Sequence, residues 1–331
     1  MQIQKYKEGS FEIRDYPKDI SDFYKKITNI DLGEKLPKIH VVDFSQIGLA
    51  AGGFQSGNKI FVEKDWENYG KKVFEGVTYH EFFHWALWKS GLENSFEGRF
   101  YIQFYMDHGY NFAVPLRLLL IKDLPQYSAK INSMEEGAAE FFAAKLISKN
   151  ESEIPKNMFY PYFYENPSTV FQVVFNSTSY KRAKEAIKEV YTTYQKFNGL
   201  QTIATIDESL KKAEFQINEL IDKCYNLFPT SIKWEALHDI GRVTVLFAYE
   251  IYKKENKNSE DLLKDLIFST WETVEKVVRE IKNDKNGELL KNTLSDFEEG
   301  FKEHLRDEDK QPSFIQKLVT KAEEFKKRVR S

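Results

Sequence analysis

The rhythm of apolar positions changes along the chain. Residues 38–49, "KIHVVDFSQIGL", and 59–65, "KIFVEKD", have the β-branched and aromatic content of strands, and they flank a glycine-bearing stretch, "AAGGFQSGN". A small sheet with a hairpin is the expectation. Ahead of it, the opening residues mix charges with aromatics and predict a short strand and a helix, "ISDFYKKITNI", stopped by the breaker-rich "DLGEKLP". From about Asn68 to Ser90 the spacing turns helical, and Gly91 sits where a left-handed C-cap would close the helix. A second helix is expected over about Ser133 to Lys149. The aromatic segment between the two, "SFEGRFYIQFYMDHGYNF", is expected to be partly helical.

After a Pro- and aromatic-rich connector, "IPKNMFYPYFYENPS", apolar residues recur at three- and four-residue spacing to the C-terminus. The segments are "YKRAKEAIKEVYTTYQKF", "SLKKAEFQINELIDKCYNLF", "ALHDIGRVTVLFAYEIYKKEN", "SEDLLKDLIFSTWETVEKVVREI", "LLKNTLSDFEEGFKEHL" and "IQKLVTKAEEFKKRV". No repeat of fixed period accompanies them. The pattern predicts an α+β, predominantly α-helical protein. Residues 1–155 would hold a small sheet and two motif-bearing helices, and residues 156–331 an all-helical lobe that closes a cleft.

Composition narrows the function classes. At 331 residues, with 41% hydrophobic and 15% aromatic content, the chain can bury a sizeable core. A net charge of -3 leaves no basic footprint, so no nucleic-acid partner is expected. The single cysteine, Cys224, excludes an intramolecular disulfide, and "MQIQKYKEGS" lacks the apolar core of a signal peptide, which together predict a cytoplasmic protein. The most apolar run, "FAVPLRLLLI", is interrupted by Pro115 and Arg117 and is too short to span a bilayer, so no membrane association is expected. Gly52 and Gly57 have the spacing of a phosphate loop, but Asn58-Lys59 stands where Lys followed by Ser or Thr is needed, and turn chemistry accounts for the stretch.

The chemistry concentrates in "VTYHEFFHWALWKSG", residues 77–91. His80 and His84 are one helical turn apart and can place two imidazoles on one metal ion, while Glu81 can reach a water on that metal without being a ligand. Burying these groups in so apolar a helix without partners would cost several kcal/mol, and a divalent cation turns them into satisfied ligands. A zinc site needs a third protein ligand. The metzincin continuation is excluded, because Leu87 and Ser90 stand where its Gly and His are required. In "MEEGAAEFFAAKL", Glu136 and Glu140 share a helical face, and the small residues Gly137, Ala138, Ala139, Ala143 and Ala144 allow close packing. Glu136 is the candidate ligand and Glu140 the candidate acceptor of a ligand histidine's free N–H. Glu135 reads as a solvated first-turn acid. Asp107 and Glu97 are alternative third ligands.

"TYHEFFHWAL" followed some fifty residues later by "EEGAAEFFA" resembles the gluzincin side of the zincin metallopeptidases, the thermolysin-like or peptidase MA group. The motifs cover about a fifth of the chain. The resemblance implies a zincin-like N-terminal part, zinc at His80, His84 and Glu136, Glu81 as general base, Glu140 behind the ligands, and a peptide or protein substrate. It further implies an edge strand that binds extended substrate ahead of the active helix, where "NKIFVEKD" stands. A later helix would bring a Tyr or His to the oxyanion: His238, three residues before Gly241, with His108 and Tyr110 in "MDHGYN" as rivals. The aromatics Phe96, Phe100, Tyr101, Phe104 and Tyr105 read as core, as do Phe159, Tyr160, Tyr162 and Phe163. The competing readings are a zincin-fold protein that binds without turnover and a metal-free helical interaction protein.

Overall fold

The computed structural model describes residues 4–8, 11–43, 53–92, 121–124, 129–159, 170–196, 219–224, 226 and 233–305. Strands β1 (Gln4–Glu8), β2 (Phe11–Asp15), β3 (Lys38–Val42), β4 (Gly53–Ser56) and β5 (Lys59–Glu63) form one sheet in the order β1-β2-β3-β5-β4, with α1 (Lys18–Thr28) between β2 and β3 in the chain. β3 and β5 are parallel and every other pair is antiparallel.

The sheet corrects the sequence expectation in three places. The N-terminal residues make two paired strands, not one. The second half of the glycine-bearing stretch is itself a strand, so the hairpin is β4–β5, turning at Gly57 with φ 56°. β3 and β5, the two expected strands, are parallel neighbours, which a tight turn cannot join. "NKIFVEKD" therefore lies inside the sheet, and among the described strands the edge beside it is β4.

Behind the sheet lies α2 (Lys71–Ser90), entered through a 3-10 turn at Lys64–Tyr69. Gly91, at φ 71°, ends it as its sequence position predicts, its N–H closing on the Leu87 and Trp88 carbonyls. β6 (Ile121–Leu124) pairs with β7 (Ala129–Asn132), and β7 runs directly into α3 (Ser133–Ile147). After α4 (Ile154–Asn157) come α5 (Val170–Lys196), α6 (Lys233–Lys254), α7 (Ser259–Phe268), α8 (Thr270–Asn283) and α9 (Glu288–Leu305). The chain is mostly helical with a small mixed sheet.

α2 packs against β4 and β5 on one side and α3 on the other, and α3 packs against α6. Both inner helices are consequently apolar almost all round: Phe82, Phe83 and Trp85 of α2, and Phe141, Phe142, Ala143 and Ala144 of α3, are fully buried. One hydrophobic cluster runs from Tyr16 to Phe301 through both halves of the chain. Among the described residues no helix is long and apolar enough to cross a membrane.

"SEDLLKDLIFSTWETVEKVVREI", a single helix by its spacing, breaks at Ser269 (φ −143°, ψ 42°) into α7 and α8. The bend lets both pieces bury their stripes, Leu262, Leu263 and Leu266 on one and Val274, Val277 and Ile281 on the other. The segment holding Glu97, Asp107, His108, Tyr110 and its aromatics lies outside the described residues, as do Tyr160, Tyr162, Phe163 and "IQKLVTKAEEFKKRV". Phe159 is core.

Where α3 crosses α6, both helices carry glycine. A Cβ on Gly241 would stand 1.6 Å from the Ser133 carbonyl oxygen, and one on Gly137 would stand 2.4 Å from the Gly241 carbonyl oxygen. Only the absence of side chains lets the backbones meet there.

Candidate metal centre

The polar groups of α2 face α3. His80 Nε2 and His84 Nε2 are 3.1 Å apart, as the one-turn spacing dictates. From the first turn of α3, Glu136 brings Oε2 to 3.1 Å from His80 Nε2 and 3.3 Å from His84 Nε2. Zinc–ligand bonds of about 2.0–2.1 Å in a tetrahedron put neighbouring ligand atoms about 3.3 Å apart. The triangle has edges of that size, and its members are two imidazoles and a carboxylate. Among the described residues, this is the group of His, Cys, Asp and Glu side chains whose donor atoms all converge within 4.8 Å.

Each imidazole has a second carboxylate behind it. His84 Nδ1 is 2.7 Å from Glu135 Oε1, and His80 Nδ1 is 3.7 Å from Glu140 Oε1. Glu140 thus faces a histidine's outer nitrogen without hydrogen-bonding to it. Glu135 corrects its sequence reading: it is paired to His84, because α3 approaches α2 closely enough for adjacent residues of one turn to reach the two nitrogens of one ring. The crossing of α3 and α6 brings His238, one turn before Gly241, alongside, with its Nε2 3.4 Å from Glu136 Oε2. Its ring stacks parallel to that of His80 at 6.1 Å.

The charges are mutually supporting. Burial raises the Glu136 carboxyl, but His238, His84 and His80 outweigh that and hold it well below the usual carboxylate range. Burial works the same way on Glu140, and Arg242 with His80 holds it down to about 2. Burial would lower His80, yet Glu140 and Glu136 hold it up to about 9, and Glu136 and Glu135 likewise raise His84. His238 goes the other way: burial lowers it, against the opposing pull of Glu136.

Glu81 lies beneath β4, close enough to His80, His84, Glu136 and Glu140 to feel their charges. A Cβ on Gly53 would fall 2.9 Å from its Oε1. Among the described residues its carboxylate makes no hydrogen bond, and burial pushes it up. β4, the edge strand among the described strands, thus lies over the Glu81 carboxyl.

No family model, curated protein or solved structure matches the chain.

The structure brings together His80, Glu81, His84, Glu136, Glu140 and His238. Two contributors escape the sequence reading. Glu135 is hidden beside a stronger candidate. Arg242, whose Nη2 donates to Glu140 Oε1 at 2.5 Å, announces itself only as a charged residue inside the apolar run "IGRVTVLF".

Proposed function

We propose that the chain is a zinc-dependent peptidase with a zincin-like N-terminal part. The observation that carries this reading is the triangle of His80 Nε2, His84 Nε2 and Glu136 Oε2, one residue away from an unengaged Glu81. Two imidazoles and a carboxylate are the ligand set of a catalytic zinc with one position open, and the triangle's edges of 3.1 to 3.3 Å fit the ion. Zinc held there supplies an acidified water, its pKa lowered toward about 7, and a positive charge beside the scissile carbonyl.

The rest of the work falls to side chains. Glu81, from the turn that carries both histidines, takes the proton of the attacking water and returns it to the leaving amine; its raised pKa suits it to both transfers. His238 can donate a ring N–H hydrogen bond to the developing oxyanion from the α6 side. An extended peptide pairing with β4, the edge strand among the described strands, would pass its backbone over Glu81, and Gly53 leaves room for it.

The test is zinc per chain by elemental mass spectrometry after dialysis, on wild type and Glu136→Ala, followed by hydrolysis of a peptide library. About one zinc in wild type and clear loss in the variant supports the centre, and cleavage of library peptides supports the activity. No zinc in wild type after reconstitution removes the reading.

A further inference from the structure

Behind the candidate centre runs a file of buried charges that peptide hydrolysis does not itself require. Arg182 on α5 donates from Nη2 to Asp239 Oδ2 at 2.6 Å, and Asp239 Oδ1 accepts from Arg242 Nη1 at 2.7 Å. Arg242 Nη2 donates to Glu140 Oε1 at 2.5 Å, and the same oxygen faces His80 Nδ1 at 3.7 Å. Glu140, Arg182, Asp239 and Arg242 are each only 2–3% exposed. The file crosses from α5 through α6 and α3 to α2.

A buried ion chain is a poor way to hold helices together, since well-packed apolar residues of similar volume do as well or better. What it does supply is orientation. The guanidinium of Arg242 is planar and engages two carboxylates through two different nitrogens, Nη1 and Nη2, which fixes its plane; the Phe159 ring, 5.3 Å from its centre, faces it as well. Glu140 is thereby held by one oxygen, while its Oε2 and His80 Nδ1 make no hydrogen bond. The chain of fixed groups ends on the nitrogen whose proton decides which way the His80 lone pair points.

We infer that Arg242, itself held by Asp239 and Arg182, is a positioning residue: it sets the Glu140 carboxylate against His80 Nδ1, so that Nε2 is the nitrogen presented to the metal. This rests on the metal reading above and adds that metal affinity is set partly from the helical half of the chain, through α6.

The experiment is zinc affinity by chelator competition on full-length wild type, Glu140→Gln, Arg242→Gln and the double variant, with far-UV circular dichroism as the check on folding. Arg242→Gln should weaken zinc binding about 10- to 100-fold, and the double variant should be no weaker than about the worse single, because both act through one carboxylate. Imidazole 15N shifts of the zinc-loaded protein should report the His80 proton on Nδ1 in wild type and a changed or averaged signal in Arg242→Gln. Folded Arg242→Gln with wild-type affinity, or losses that simply add, overturns the proposal. Should Arg242→Gln not fold, Arg242→Lys takes its place: lysine keeps the charge but cannot span both carboxylates as a fork, and weakened zinc binding in a folded protein is then the expected result. If neither folds, the file holds the fold and the positioning role is overturned. Wild type without zinc affinity removes the metal reading and this inference together, whereas zinc held equally by wild type and variants removes this inference alone.

Discussion

Glu81 and Gly53 form a pair in which the smaller residue decides what the larger can do. A methyl group at position 53 would meet Glu81 Cγ and Oε1 at 2.9 Å, and the flexible carboxylate would give way before the sheet does. Gly53→Ala should therefore keep the fold and its zinc while lowering peptide hydrolysis, read as kcat with zinc content measured in parallel. Glu81→Gln should likewise retain zinc and lose about 10²- to 10⁴-fold in rate, the usual worth of a general base. At this scale the sequence was informative where roles are local. His80, Glu81 and His84 are set by one turn of helix, and Glu136 and Glu140 by another. Glu135 and Arg242 were illegible because their roles depend on how far α3 stands from α2 and α6, which no spacing within a helix encodes.

Among the elements, the crossing of α3 and α6 carries the most consequence. A Cβ at Gly241 would overlap the Ser133 carbonyl oxygen, which is backbone and cannot rotate aside. Gly241→Ala should force the helices apart, costing about 3 kcal/mol or more, and draw His238 away from Glu136. Thermal unfolding and zinc affinity would check this, and an Ala variant as stable as wild type would contradict the crossing. The ends of α2 and α3 were readable to within a few residues from periodicity and from Gly91 at the end of α2, whereas α5 starts ten residues before its apolar spacing becomes regular, at Val170. The order of strands was not, because β4 joins the sheet outside β5 by a turn at Gly57, and alternation along a strand is silent about its neighbour. The break at Ser269 was hidden for a related reason, since the apolar stripe continues on either side of it.

For the whole molecule, pH should act through a group remote from the candidate centre. Glu250 on α6 is buried near Asp296 of α9, which is paired to Lys253; burial first, and Asp296 second, push its carboxyl from its ordinary 4.5 up to about 8. The folded chain then keeps a proton that the unfolded chain releases, so stability falls as pH rises from about 4.5 to about 8. Glu250→Gln removes that dependence. It should match wild type near pH 4 and exceed it at pH 8 by on the order of a few kcal/mol, measured by urea unfolding at both values. The α+β composition of the chain was legible from its two rhythms. That a single hydrophobic cluster binds both halves was not, because it depends on α6 returning to lie on α3.

The meeting of Gly137 with Gly241 has a further meaning for how such a chain can change over time. Contact between two main chains leaves no side chain to enlarge or trim, so the separation of Glu136 from His238 cannot be adjusted by gradual substitution around it. Lineages descending from this sequence should keep glycine at both positions for as long as they keep the histidine.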